Sequence, residues 1–133
     1  MNRSLAILAA NAVLFAASGA MAPAMAQSAG DAAKGKTLFT QQCALCHSAS
    51  SGQEGQGPSL YGVIGRKAGS EPGFPAYTKS LKGSNITWGA ASLDKFLSGP
   101  TTLVPGTAMP ISLSSAQDRR NVIAYLASLK KGR

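Results

Sequence analysis

Both cysteines and the single histidine of this 133-residue chain fall within five consecutive positions, Cys43-Ala44-Leu45-Cys46-His47. Any fold must carry what these three side chains hold. Positions three apart on a helix share a face, so the thiols of Cys43 and Cys46 point the same way, and the imidazole of His47 follows at once.

The start of the chain constrains where it folds. Arg3 precedes a mainly apolar run from Leu5 to Ala17, and Ala24-Met25-Ala26 follows. A basic start, a short apolar stretch and an A-x-A ending predict a secretory signal peptide over residues 1–26, cleaved after Ala26. An uncleaved membrane anchor is the alternative. It needs a span of about 20 apolar residues, and Asn11, Ser18, Gly19 and Pro23 interrupt this one. Cleavage leaves one small domain, 27–133, and the net charge of +8 falls to +7 with the loss of Arg3. So short a domain has a thin core unless something else fills it. The charge suggests acidic partners, anionic surfaces or an anionic cofactor. Export and the lack of a long basic cluster argue against nucleic acid. Export also implies an oxidising compartment, the periplasm, where two thiols are paired or otherwise used.

The pattern downstream is helix and loop, without strand alternation or internal repeat. Asp31 caps a predicted helix through Lys36, Phe39 and Cys43 toward His47, with Gly35, Leu38, Phe39 and Cys43 as its inner face. Gly35 inside a helix costs about 1 kcal/mol relative to Ala and suggests close approach of another helix. Residues 48–76 carry glycines at 52, 55, 57, 62, 65, 69 and 73, among Pro58, Pro72 and Pro75. So long an irregular loop belongs in a compact domain only if it is functional or wraps something. A large apolar ligand would give Leu60, Tyr61, Val63, Ile64 and Phe74 something to bury against. A helical turn is expected at Tyr77 to Leu81, and a helix at Ala90 to Ser98 with Leu93, Phe96 and Leu97 on one face. A second loop is expected at 101–113. The last helix starts from a capping-box pattern of Ser114 and Gln117. It carries Val122, Tyr125, Leu126 and Leu129 on one face and ends at Lys130, Lys131 and Gly132.

C-x-x-C-H is the attachment signature of c-type haem. The two thiols meet the two vinyl groups on one porphyrin edge, and His47 turns its imidazole to the iron. The competing readings are weaker. Structural zinc takes about four ligands, and Cys and His together supply three. A thiol-disulfide oxidoreductase of C-x-x-C type normally sits near a βαβ pattern, absent here. A plain structural disulfide is the remaining alternative. After signal cleavage Met109 is the only methionine, and no second histidine or third cysteine exists. Met109 sits in a Gly/Pro-framed loop between helices, from which a thioether can reach the iron's other face. His/Met ligation raises the reduction potential and leaves no open coordination position. Such an iron suits single-electron transfer rather than substrate binding.

An ordered set of motifs extends this reading. Gly35-x-x-x-Phe39, Cys43-x-x-Cys46-His47, Gly57-Pro58-x-Leu60, Gly65-Arg66-Lys67, Gly73-Phe74, Ile86-Thr87-Trp88, Val104-Pro105-Gly106-Thr107-x-Met109 and Ile123-Ala124-Tyr125-Leu126 resemble class I c-type cytochromes of the mitochondrial and cytochrome c2 type. The resemblance covers nearly all of residues 30–131. It implies an all-α fold around one covalent haem c, with the first and last helices crossing and long loops wrapping the haem. It implies that Gly35 and Phe39 lie against Val122 and Tyr125, and that the Pro58 carbonyl accepts a hydrogen bond from His47. It implies further that Tyr77, Trp88 and Thr107 donate to the haem propionates, with Arg66 nearby to neutralise them. The function implied is that of a monomeric electron carrier, not an enzyme and without a small-molecule substrate. Its redox partners would be a membrane oxidase, a quinol-cytochrome c reductase or a dehydrogenase. A haem enzyme with weak peroxidase activity is the main alternative, although no second histidine offers distal acid/base help.

The chain departs from the family pattern in several places. Phe96 stands where a tyrosine usually hydrogen-bonds the methionine sulfur. Leu81 replaces an asparagine that holds an internal water, and Ile111 replaces an aromatic. Gln42, Thr101, Thr102, Ala108, Ser114 and Ser115 occupy the positions of the lysine ring around the haem edge. Basic residues sit instead at Lys34, Lys36, Lys67, Lys79, Lys82, Lys95 and the C-terminal end. Association with partners is therefore expected to depend less steeply on salt than in lysine-ringed relatives.

Overall fold

The structure is a computed structural model and describes residues 29–129. The expected signal peptide, the new start at Gln27 and the C-terminal Lys130-Lys131-Gly132 lie outside the described residues. Among the described residues there are helices and irregular connections, with one isolated antiparallel bridge between Lys67 and Thr87 and no strand.

Helix α1 spans Ala32–Leu38. The Asp31 carboxylate caps it, accepting from the Ala33 and Lys34 amides at 2.9 and 3.1 Å, as expected of an Asp at this position. The helix then widens into a π-helical turn, Phe39–Cys43, closed by the Ala44 amide donating to the Phe39 carbonyl at 2.9 Å. The predicted helix toward His47 is thus continuous but gains a wide turn just before the first cysteine.

Helix α2, Lys79–Lys82, is capped by the Thr78 hydroxyl and starts two residues later than the turn expected at Tyr77. Helix α3, Ala90–Ser98, has the expected bounds and buries Leu93, Phe96 and Leu97. The Ser92 hydroxyl accepts from the Gly89 amide at its start. Pro100 then begins a short helix α4, Pro100–Leu103, where a loop was expected from residue 101. Proline ends α3 but suits a first helical position, where no amide is needed.

Helix α5 is Ala116–Ser128. Its cap is Ser115, which accepts from the Asp118 amide, not the predicted Ser114. The carbonyl of Ser114 receives Arg119 instead, at 2.9 Å, and Gln117 donates to Asn121 at 2.9 Å.

The crossing of α1 and α5 organises the fold. A Cβ placed on Gly35 would stand 1.9 Å from the Asn121 carbonyl oxygen and 2.9 Å from the Tyr125 Cβ. Only a missing side chain permits that approach. Asn121, itself buried, accepts from the Asp31 amide at 2.9 Å and so ties the start of α1 to the middle of α5. The rings of Phe39 and Tyr125 meet at 5.4 Å, and Phe39 and Val122 belong to one core cluster with Val63, Trp88, Phe96 and Leu126. The expected helix crossing is therefore present. The long connection from residue 48 to 76 closes around this core. Its amides find partners across the fold, including Leu60 to Ser48, Gly62 to Leu129 and Ala68 to Ile86, which supplies what a chain without ladders needs.

Candidate functional site

The π-helical turn delivers Cys43, and a tight turn follows. The amides of Cys46 and His47 both donate to the Cys43 carbonyl, at 3.0 and 2.9 Å. The two cysteines are unpaired and half-buried. Burial pushes the Cys43 thiol up from its ordinary value, and the neighbouring Cys46 adds to the effect. An activated cysteine nucleophile would need the opposite shift, which counts against the thiol-disulfide reading.

The His47 ring is fixed from two directions. Nδ1 lies 2.8 Å from the Pro58 carbonyl oxygen. A carbonyl only accepts, so Nδ1 carries the hydrogen and Nε2 keeps its lone pair for a metal. Beneath the ring is Gly57, where a Cβ would come within 2.4 Å of Cε1 and 2.7 Å of Nδ1. Burial lowers the His47 pKa, opposed by the Pro58 hydrogen bond and the charge of Glu54. The neutral, ligating form of the imidazole is thereby favoured.

Glu54 belongs to the same support. One of its oxygens accepts from the Ser59 amide, and the other is buried without a partner. Nothing in the sequence marks Glu54, because a carboxylate in a glycine-rich loop gives no sign that it is folded inward.

Three of the four residues expected around the propionates, Arg66, Tyr77 and Trp88, form a second group, while Thr107 bonds beside Met109. Arg66 pairs with Glu71 and donates to the carbonyls of Ser59 at 2.6 Å and Tyr61 at 3.3 Å. The Tyr77 hydroxyl accepts from the Glu71 amide at 3.3 Å, and its ring meets Phe74 edge-on at 5.0 Å. Trp88 is buried against Phe96, ring centroids 5.0 Å apart, and its amide donates to the Arg66 carbonyl at 2.9 Å. Arg66, Tyr77 and Trp88 are thus linked through Glu71 and the backbone. The Arg66–Glu71 ion pair was not anticipated, since glutamate five residues on in a loop carries no pattern.

Met109 is half-buried and packs against the same core cluster as Cys43. Its amide donates to the Thr107 hydroxyl at 3.5 Å. Leu81 packs against this cluster, and Phe96 belongs to it. Among the described residues, no three His, Cys, Asp or Glu side chains gather into a metal site.

Two unpaired thiols, one at the end of the π-helical turn and one on the tight turn after it, and an imidazole with a bare Nε2 suit a covalently held haem. The Met109 thioether lies against the same apolar core as Cys43. The class defined is a helical protein with haem on a C-x-x-C-H segment. The family model for cytochrome c matches residues 32–130. The chain is 44% identical over 102 residues to cytochrome c of Euglena viridis, covering 76% of this chain and 99% of that protein. It is 46% identical over 107 residues to cytochrome c2 of Rhodomicrobium vannielii, covering 79% and 84%. With cytochrome c of Tetrahymena pyriformis it shares 48% over 101 residues, covering 75% and 90%. The chain belongs to the cytochrome c family and is a class I c-type cytochrome. Its cofactor is covalent haem c, and it is a monohaem electron carrier rather than an enzyme.

Proposed function

We propose that this cytochrome is an exported, periplasmic, monomeric carrier released by cleavage after Ala26. It moves single electrons between a reductase or dehydrogenase and an oxidase. Cys43 and Cys46 hold the haem through thioethers, and His47 and Met109 ligate its iron. The observation that carries this reading is the His47 Nδ1 contact to the Pro58 carbonyl at 2.8 Å, which leaves Nε2 as the donor atom.

The bound haem supplies a one-electron change at iron, and the residues set the conditions for it. Pro58 and Gly57 hold the imidazole at one rotation. Met109 would ligate the iron through its thioether and keep water from it. The Tyr77 hydroxyl accepts from Glu71 and the Thr107 hydroxyl from Met109, so each retains its own hydrogen to donate to a propionate. Trp88 is the third donor. Arg66, tethered by Glu71 and two carbonyls, contributes positive charge without having to move. Among the described residues, no helix is long and apolar enough to cross a membrane.

Absorption spectroscopy of the holoprotein tests the ligand set. The oxidised wild type is expected to show the weak near-infrared Met–iron band, and Met109→Ala to lose it and to lower the midpoint potential. Retention of the band in Met109→Ala would exclude Met109 as ligand.

A further inference from the structure

Arg66 and Glu71 stand in one loop, and the chain between them turns at Gly69, whose φ of +74° lies in the left-handed region open to glycine. A side chain there would also meet Lys82 of α2, its Cβ 2.9 Å from Cγ and 3.0 Å from Cα. The Ser70 hydroxyl donates to the Lys67 carbonyl at 2.6 Å across the same turn. The turn brings the Glu71 carboxylate back onto the Arg66 guanidinium, and the two side chains are only 18% and 14% exposed. An arginine has five N–H donors. Arg66 uses one on Glu71, one on the Ser59 carbonyl and one on the Tyr61 carbonyl, which leaves two for a further acceptor. The Tyr77 hydroxyl accepts from the Glu71 amide and lies in the field of both charges. Burial does most to push its pKa up. The Glu71 amide and the Arg66 charge pull it down, and the charges of Glu71 and Glu54 push it up. At this hydroxyl the charge of Glu71 therefore opposes that of Arg66.

We propose that Glu71 sets the reduction potential of the haem by cancelling the charge of Arg66 at the propionates. It is a tuning residue that acts through Arg66, not a group that touches the iron. The inference rests on the reading above that places Arg66 and Tyr77 at the propionates. The oxidised centre is the more positive state. A lone guanidinium beside it favours reduction, and a carboxylate at the same place favours oxidation. Both side chains are mostly out of water, where salt screens charge far less than at the surface. Closing the loop does not by itself call for an acid, because a glutamine would accept the same hydrogen bond. Stability does not call for one either, since a buried ion pair often stabilises no more than well-packed neutral residues would. Solubility has no need of it in a chain with 13 basic and 5 acidic residues. What the carboxylate supplies and glutamine cannot is negative charge, held by Arg66 in one place.

Redox titration of the holoprotein at neutral pH and high salt tests this. Glu71→Gln is expected to shift the haem couple toward the reduced form by at least about threefold, a rise of about 28 mV at 59 mV per tenfold. Glu71→Asp keeps the charge and is expected to lie closer to wild type than to Glu71→Gln. Asp118→Asn removes the same charge from the first turn of α5 and, screened by salt, is expected to leave the couple within about 1.5-fold of wild type. Arg66→Gln is expected to move the couple at least about threefold the other way. Glu71→Gln leaves a guanidinium unpaired, which can unfold a protein. The double variant Arg66→Gln/Glu71→Gln leaves neither charge and is expected within about twofold of wild type. A double variant that keeps the full shift of either single one would overturn the cancellation. A potential that falls in Arg66→Gln but does not rise in Glu71→Gln would overturn the role of Glu71 and leave Arg66 at the propionates. An unchanged potential in Arg66→Gln would instead sink the placement of Arg66, and the proposal with it. Equal shifts in Glu71→Gln and Glu71→Asp would assign the effect to packing, and an equal shift in Asp118→Asn would assign it to net charge; either result overturns the proposal.

Discussion

His47 is held by neighbours that have no freedom to yield. Pro58 presents its carbonyl from a ring-restricted backbone, and Gly57 leaves the space the imidazole fills. The next residue, Ser59, is buried and donates its amide to Glu54. Glu54 therefore braces the peptide that orients the imidazole and places a negative charge near it. That charge favours the oxidised centre, which is the more positive state. Glu54→Gln keeps the shape and an acceptor for the Ser59 amide but removes the charge. The midpoint potential is expected to rise by an amount on the order of tens of mV, given 59 mV per tenfold for one electron. Redox titration at neutral pH measures it, and an unchanged or lower potential would mean that Glu54 acts on the loop alone.

Among the elements, α1 and α5 depend on one another at Gly35. In an isolated helix Ala would be better than Gly by about 1 kcal/mol. Here an added Cβ would lie 1.9 Å from the Asn121 carbonyl, and backbone cannot swing aside as a flexible side chain can. The steric cost exceeds the propensity gain, so Gly35→Ala is expected to lower holoprotein stability by about 1–3 kcal/mol, typical of overpacking. Urea unfolding followed by helical circular dichroism reads this. A variant as stable as wild type would show that the helices separate without cost. The same elements show what a sequence makes legible. Asp31 as cap, Gly35 as contact point and the bounds of α3 follow from residues with strong local preferences. The π-helical turn does not, because Phe39-Thr40-Gln41-Gln42-Cys43 holds no residue that breaks a helix and only packing decides the wider turn. The short α4 is hidden because a Gly-Pro pair after a helix reads as a stop, although Pro100 also suits a first helical position. The cap of α5 shifted by one because two serines stand side by side. At the site, the motif made Cys43, Cys46 and His47 plain. Glu54 and the Arg66–Glu71 pair depend on how a glycine-rich loop closes, and such loops have no periodicity to read.

At the scale of the whole molecule, the cofactor belongs to the core. The described helices are short apart from α5, and the connection over 48–76 is irregular. Leu60, Leu81, Leu103, Met109 and Cys43 are only half-buried at the edge of the apolar cluster. A domain of this length ordinarily retains only about 5–15 kcal/mol of net stability, and a positive net charge works against compaction. Haem burial adds apolar contact at the place where the protein's own side chains are thinnest, and covalent attachment keeps it there. Removing the haem should therefore cost more than a ligand at an independent pocket would. Cys43→Ala/Cys46→Ala, purified free of haem, is expected to lose well over half of the helical circular dichroism signal and to show no cooperative thermal transition. The contact of α1 and α5 alone would have to organise the 48–76 loop, and that loop bonds mainly to neighbours placed by the filled core. Should the double variant keep its helical signal and melt cooperatively, the protein core would be self-sufficient, and the long loop would need another reason to be ordered.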